Sequence, residues 1–369
     1  QLPPFDLDLD YRRYVDGKPR YDGVEGFLAS RGISLPYGDP DDPPDRETVC
    51  GLGNRKNAYF LDILEKERVE ICFGGLDTYA DVYLNGQLIL QADNMFREWK
   101  IDIRDHLKPG ENSLRVYFHS PVEIGLVKRE ALDYQLPDPP NDLSDIGGLG
   151  EKKVSIFTRK APYHFGWDWG PRLVTSGIWK DVVIRGWNTA KIEHVFVQQM
   201  DVTEEKADLK VHLEIRSTGN MTVELNGMIN GESAIRTSID LQPGMNEVSE
   251  SLTIEDPDLW WPNGIGEQPL YNLKFTLSDG SILIADVETR TGLRKIQVVR
   301  EKDPAGESFL FRINGHPVFM KGANYIPQDV FLDRVTPEQY EHIVQSAADA
   351  HMNMLRVWGG GIYEKDIFY

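Results

Sequence analysis

The hydrophobic period changes abruptly at Val69, and this change constrains the fold more than any other feature of the chain. From there Val69-Glu-Ile-Cys-Phe73 and Asp81-Val-Tyr-Leu-Asn-Gly-Gln-Leu-Ile-Leu90 alternate apolar and polar residues. A strand sends successive side chains to opposite faces, so the alternation fits half-buried antiparallel strands, and Asn85-Gly86 supplies the residues that a tight hairpin turn requires. Ser113–Phe118 reads as a further strand after Pro109-Gly110, and Ile178–Ile184 as the strand that closes the unit. Residues 122–150 read as charged loop, with Pro-Asp-Pro-Pro at 137–140 and Gly-Gly-Leu-Gly at 147–150. The pattern predicts a jelly-roll β-sandwich over residues 69–189.

A second all-β unit follows over 190–294, with strands expected at Ile192–Val197, Leu209–Ile215, Met221–Ile229, Glu247–Ile254, Tyr271–Leu277 and Ile282–Thr289. Its size and the turn signals between strands predict an immunoglobulin-like sandwich, in which Leu259-Trp-Trp-Pro-Asn-Gly264 reads as a packed corner. From residue 295 the period changes again. Phe309–Phe319 is a hairpin about Asn314-Gly315, and Met320-Lys-Gly-Ala-Asn324 a short buried strand. Thr336-Pro337 opens a helix to about His351, with Thr as N-cap and Pro at the first position, and Met354-Leu-Arg-Val-Trp358 is a second strand. Strand, helix and strand make one βαβ unit, which cannot bury itself and predicts the opening of a (β/α)8 barrel. The fold class expected is therefore mainly β: two sandwiches, then the start of a barrel. The immunoglobulin-like unit is expected to be the most self-sufficient part.

Residues 1–68 have a different texture. Asp22–Arg31 and Lys56–Lys66 read as helices, the second with Tyr59, Phe60, Ile63 and Leu64 at helical spacing, separated by the turn-rich Pro36–Pro44.

Composition narrows the function. A formal charge of −19 over 369 residues argues against nucleic acid or an anionic membrane as partner. No apolar run approaches a membrane span, and the acidic start at Gln1 does not resemble a signal peptide, so a soluble protein is expected, its compartment open. Cys50 and Cys72 form no disulfide framework and sit in no metal-ligand spacing, so no metal or other cofactor is expected.

Chemistry concentrates in two stretches. Arg159-Lys-Ala-Pro-Tyr-His-Phe-Gly-Trp-Asp-Trp-Gly-Pro-Arg172 gathers the rings of Tyr163, His164, Phe165, Trp167 and Trp169 around Asp168. Leu355-Arg-Val-Trp-Gly-Gly-Gly361 is a second aromatic-and-glycine cluster. Aromatic faces suit the C–H faces of a sugar ring, and a carboxylate accepts hydrogen bonds from its hydroxyls. The competing reading of the first stretch is a core strand with its tryptophans inside.

Residues 69–369 resemble the N-terminal part of a glycoside hydrolase family 2 β-mannosidase. The motifs that carry the resemblance are Phe73–Gly86, Ala92-Asp-Asn-Met-Phe96, Phe118-His-Ser-Pro121, Arg159–Arg172, Trp260–Gly264, Lys321-Gly-Ala-Asn-Tyr-Ile-Pro327 and Asn353–Gly361, in that order. The resemblance implies a sugar-binding jelly roll, an immunoglobulin-like domain and a catalytic barrel, and a retaining exo-glycosidase acting on mannose-terminated oligosaccharides or glycosides. It implies that Asp168 hydrogen-bonds the terminal sugar, that Trp358 gives it an apolar platform, and that Trp167 shapes the same wall. Asn324 and Arg356 occupy or adjoin strand ends, though Arg356 also suits a plain ion pair, and Trp169 and Trp179 suit core packing. Such enzymes use two glutamates roughly 5–5.5 Å apart. The family places them on the fourth and seventh barrel strands, so no glutamate of this sequence, Glu364 included, is assigned either catalytic role, and this stretch alone is expected to be inactive. Other sugar specificities of the family, for galactose or glucuronic acid, fit the tryptophan motifs less well. A non-catalytic carbohydrate-binding sandwich is the alternative.

Residues 1–68 depart from that family. Tyr11–Val24, Phe27–Ile33 and Thr48–Asn57 resemble the helical cap of a haloacid-dehalogenase-type phosphatase or phosphomutase. That family's nucleophile is an aspartate in an Asp-x-Asp-Gly motif, and Asp6-Leu-Asp8-Leu lacks the glycine. Glu67-Arg-Val-Glu70 is thus a candidate join between two unrelated partial sequences.

Overall fold

The structure, a computed structural model, describes residues 14, 18–64, 66–108, 110–137, 139 and 141–369, without the side chains of 60–64. The Asp6-Leu-Asp8 stretch and part of the 137–140 proline run lie outside the described residues, as do the side chains of Phe60, Ile63 and Leu64. The described residues form two compact units, one of those up to residue 70 with 184–187 and one of those in 71–183 with 188–369.

In the first unit, helices Arg20–Ser30 and Val49–Leu64 confirm the helical reading, the second beginning earlier than its apolar run suggested. Tyr21 donates to the Asn54 side chain (3.0 Å), and Arg20 to Asn57 (3.0 Å). Asp42, 4 % exposed, accepts from Thr48 Oγ1 (2.6 Å) and Arg46 (2.6 Å) and fixes the turn before the second helix.

In the second unit, Tyr79–Leu84 pairs antiparallel with Gln87–Asp93 on one side and Leu114–His119 on the other. Asn85 and Gly86 take φ of 53° and 84°, the left-handed pair that a two-residue hairpin demands. Two expectations need correction here. The stretch 122–150 is not wholly loop: Pro121–Glu130 is a helix with Ser120 as N-cap, its Oγ accepting from Glu123 N (3.2 Å) and Pro121 at the first position. The Ser-Pro start was the available signal. The stretch read alternatively as a core strand is no strand either, but a 3-10 turn at Pro162–Phe165 followed by irregular chain.

The immunoglobulin-like sandwich has seven strands. Gly244–Glu255, Lys206–Ser217 and Ala190–Val202 form one sheet, and Glu232–Leu241, Met221–Ile229, Tyr271–Asp279 and Ile282–Thr291 the other. Glu232–Leu241 was not expected, because it begins with three exposed residues and its alternation buries only Ile235 and Leu241 fully. The core is built from alternate positions Leu209, Val211, Leu213 and Ile215 facing Leu225, Leu273, Phe275 and Leu277.

Beyond it, Gly322–Tyr325 and Met354–Val357 pair in parallel, Asn324 opposite Arg356, with the helix Pro337–Asp349 between them in sequence. The helix starts as expected: Thr336 accepts from Gln339 N, and the Gln339 side chain accepts from Thr336 N (2.8 Å), a capping box. The first of these strands is shorter than expected and largely exposed, with only Tyr325 buried. Parallel strands bury both faces only when helices cover them, and among the described residues this sheet has two strands.

Candidate functional site

The two aromatic stretches meet. The Trp167 and Trp358 ring centroids lie 4.7 Å apart at 88°, edge to face, and those of Trp169 and Trp358 6.0 Å apart at 78°. Trp169 continues the row to Tyr163, 5.3 Å away. These separations are within the favourable range for aromatic pairs, each worth about 0.5–1.5 kcal/mol beyond its buried area. Trp358 is held by the neighbouring strand and its own loop: its backbone N–H donates to Tyr325 O (2.9 Å), and Gly361 N donates to Trp358 O (3.0 Å). A side chain at Gly360 would meet the Trp358 ring at 2.4 Å, so the glycine lets the loop close over it.

Asp168 stands between the two tryptophans of its own loop, exposed, with no hydrogen bond or ion pair to its carboxylate among the described residues. It is a free acceptor beside half-buried rings. At the neighbouring strand ends Arg356 Nη1 donates to Asn324 Oδ1 (2.9 Å). Both residues are exposed, and the pairing holds the guanidinium in line with the Trp358 strand. Trp169 and Trp179 pack half-buried against a core of Met95, Ala161, Tyr163, Val330, Leu332 and Tyr340, as the core reading expected. Trp179 Nε1 also donates to Met95 O (2.8 Å).

Sequence reasoning missed the polar groups beneath this wall. Lys160, its side chain fully buried, forms an ion pair with Asp77, and Thr175 Oγ1 donates to the same carboxylate oxygen (3.0 Å). Burial pulls the Lys160 ammonium below the usual lysine value against the attraction of Asp77. His164, 3 % exposed, has Nε2 at 2.8 Å from Val330 O and Nδ1 at 4.0 Å from Asp77. Burial and the Lys160 charge lower its pKa to about 4, so it is neutral near pH 7.

Asp142 anchors the loop's other end. Its Oδ1 accepts from Arg172 (2.9 Å), and its Oδ2 from the backbone of Val154 (2.7 Å) and Ser155 (3.0 Å). In the barrel portion Tyr340 OH donates to the buried Glu364 (2.6 Å), whose pKa burial raises. Of these side chains, Asp77, Lys160, His164 and Arg172 sit inside motifs already singled out, and Asp142, Thr175, Tyr340 and Glu364 do not. Their pairing was invisible because Asp77 and Lys160 are 83 positions apart.

A jelly-roll-type sandwich, an immunoglobulin-like sandwich and a βαβ unit with an aromatic wall at its strand ends define a particular class. Residues 56–180 match the family described as glycosyl hydrolase 2 galactose-binding domain-like, and 190–294 match glycosyl hydrolases family 2. Both matched regions are thus domains of glycosyl hydrolase family 2. Within it, the chain is similar to β-mannosidases. It is 34% identical to β-mannosidase B of Emericella nidulans, over 86% of this chain and 37% of that protein. To the β-mannosidase of Capra hircus it is 36% identical, over 84% and 36%. The solved β-D-mannosidase of Dictyoglomus thermophilum is 40% identical with a TM-score of 0.76, covering 83% of this chain and 37% of that one. The chain thus spans a little over a third of the length of the relatives it matches. The first family match opens at residue 56, inside the helix Val49–Leu64 and ahead of the texture change at 67–70.

Proposed function

We propose that this chain supplies the sugar-recognition wall of a retaining exo-β-mannosidase, with terminal β-linked mannose as the group recognised. The observation that carries this reading is the unpaired, exposed Asp168 beside the Trp167–Trp358 edge-to-face pair. Asp168 accepts hydrogen bonds from hydroxyls of the terminal sugar, Trp358 offers its ring to the apolar face, and Trp167 bounds the pocket. Asn324 and Arg356 present a paired amide and guanidinium at the strand ends, where barrels of this kind build their sites. The similarity to β-mannosidases, up to 40% identity with the Dictyoglomus thermophilum enzyme, favours mannose over other sugars. The hydrolytic step belongs to the whole enzyme. It calls for an acid/base and a nucleophilic glutamate, and none of the glutamates described here takes either role.

Titration of the chain with methyl β-D-mannopyranoside, followed by tryptophan fluorescence, tests the reading. Saturable binding is expected, weakened about tenfold by Asp168→Asn through the loss of a charge-assisted acceptor, with unchanged unfolding by urea. Trp358→Ala should weaken it comparably. Binding indifferent to Trp358→Ala would move recognition to the sandwich alone, as in a non-catalytic carbohydrate-binding module. Binding indifferent to both variants would sink the proposed wall.

A further inference from the structure

His164 is the one side chain of the tryptophan-rich loop that reaches the backbone of the barrel portion by a hydrogen bond among the described residues. It lies on the 3-10 turn Pro162–Phe165, directly before Gly166 and Trp167. Its acceptor, Val330 O, lies in the segment between Gly322–Tyr325 and the helix Pro337–Asp349, the first strand-to-helix connection of the barrel portion. A carbonyl oxygen only accepts, so Nε2 must carry the proton, and Nδ1, which makes no hydrogen bond, is the unprotonated nitrogen. The ring is held by neighbours on both sides. It stands perpendicular to Tyr163 at 5.1 Å and tilted against Phe331 at 5.9 Å, the residue that follows its acceptor. Beneath it the Asp77–Lys160–Thr175 cluster fixes the start of the loop.

We propose that His164 is a positioning residue. By donating from Nε2 to Val330 O, it sets the register of the sandwich loop on the barrel portion and so places Trp167 and Asp168 against Trp358. Apolar packing at this junction, from Tyr163, Val330, Leu332 and Tyr340, is non-directional and would tolerate small slides. One buried hydrogen bond from a ring locked by its neighbours is directional and removes that freedom. The inference rests on the sugar-wall reading only for its consequence in binding; the positioning itself is a separate structural claim.

Near-ultraviolet circular dichroism of the full chain tests it. The difference between wild type and Trp358→Phe defines the band that arises from the Trp167–Trp169–Trp358 cluster. His164→Phe, which keeps a ring and removes the donor, should abolish that band. His164→Gln, whose amide N–H can reach the same carbonyl, should retain it. Methyl β-D-mannopyranoside affinity should follow the band, falling about tenfold in the phenylalanine variant and staying near wild type in the glutamine variant. Persistence of the band in His164→Phe, or its equal loss in both variants, would overturn the proposal. If no protein binds the mannoside yet the band behaves as described, the positioning role stands and the sugar reading falls.

Discussion

The immunoglobulin-like sandwich and the barrel portion solve the same problem in opposite ways. In the sandwich, two sheets close on each other, and every large inward side chain, from Leu209 to Leu277, finds apolar partners within residues 190–294. In the barrel portion the chain forms correct local structure, a capped helix and a parallel strand pair, while leaving Phe309, Phe319 and Tyr363 at 69, 83 and 86 % exposure. Antiparallel hairpins complete themselves with neighbours in sequence, whereas a parallel pair needs helices on both faces and strands on both edges. Local sequence therefore specifies both regions, but the first closes its core within its own residues, whereas the second leaves several large rings uncovered.

Four measurements would break or sharpen this contrast. The largest effect belongs to the sandwich: Phe275→Ala, at 1 % exposure, should cost about 3–5 kcal/mol in urea unfolding. A cost under a third of that would show the core to be less closed than its packing implies. In the barrel portion, Tyr340→Phe leaves the buried Glu364 carboxyl without its donor and should cost roughly 1–3 kcal/mol, with the difference measured in the same way. The junction of the tryptophan-rich loop with the barrel portion is sensitive to acid. Because the folded chain holds the His164 proton more weakly than the unfolded chain, with a pKa of about 4 against an ordinary 6.5, its stabilising contribution is complete above that upper value. It is lost as pH falls towards the lower one. The loss is on the order of 1–3 kcal/mol, and His164→Gln should flatten the corresponding slope of stability against pH. Smallest in stability is Phe319→Ser, expected within about 0.5 kcal/mol. It should nonetheless lower binding of a hydrophobic dye, which Phe275→Ala would raise.

The same contrast explains what the sequence made legible. Strict alternation over Lys206–Ser217 and Tyr271–Asp279 announced the sandwich, because period and burial coincide there. The capping residues Thr336 and Pro337 announced the helix. Glu232–Leu241 escaped because an edge strand facing solvent has little to alternate. The site was legible as two aromatic strings and one carboxylate. Their meeting came from resemblance, since no periodicity tells Trp167 that Trp358 is its neighbour. The support beneath, Asp77 with Lys160 and His164 with Val330, was illegible for the same reason: buried polar pairs are chosen by tertiary proximity, and the second ends on a backbone carbonyl that any residue could supply.

The Asp142–Arg172 ion pair has a consequence for what can change around the wall. It ties together two points 30 positions apart and, through the Val154 and Ser155 amides, anchors the descending limb as well. Residues 145–148 are exposed, but Gly147 lies against the Arg172 guanidinium, where an added Cβ would meet Nε at 2.5 Å, whereas Gly148 has open space around it. A loop stapled at its base can lengthen at its tip for little entropy, about 0.6 kcal/mol per doubling of length. Position 148, clear of the Arg172 contact, is therefore a natural graft point, where new residues could be added while the Asp142–Arg172 staple keeps its place.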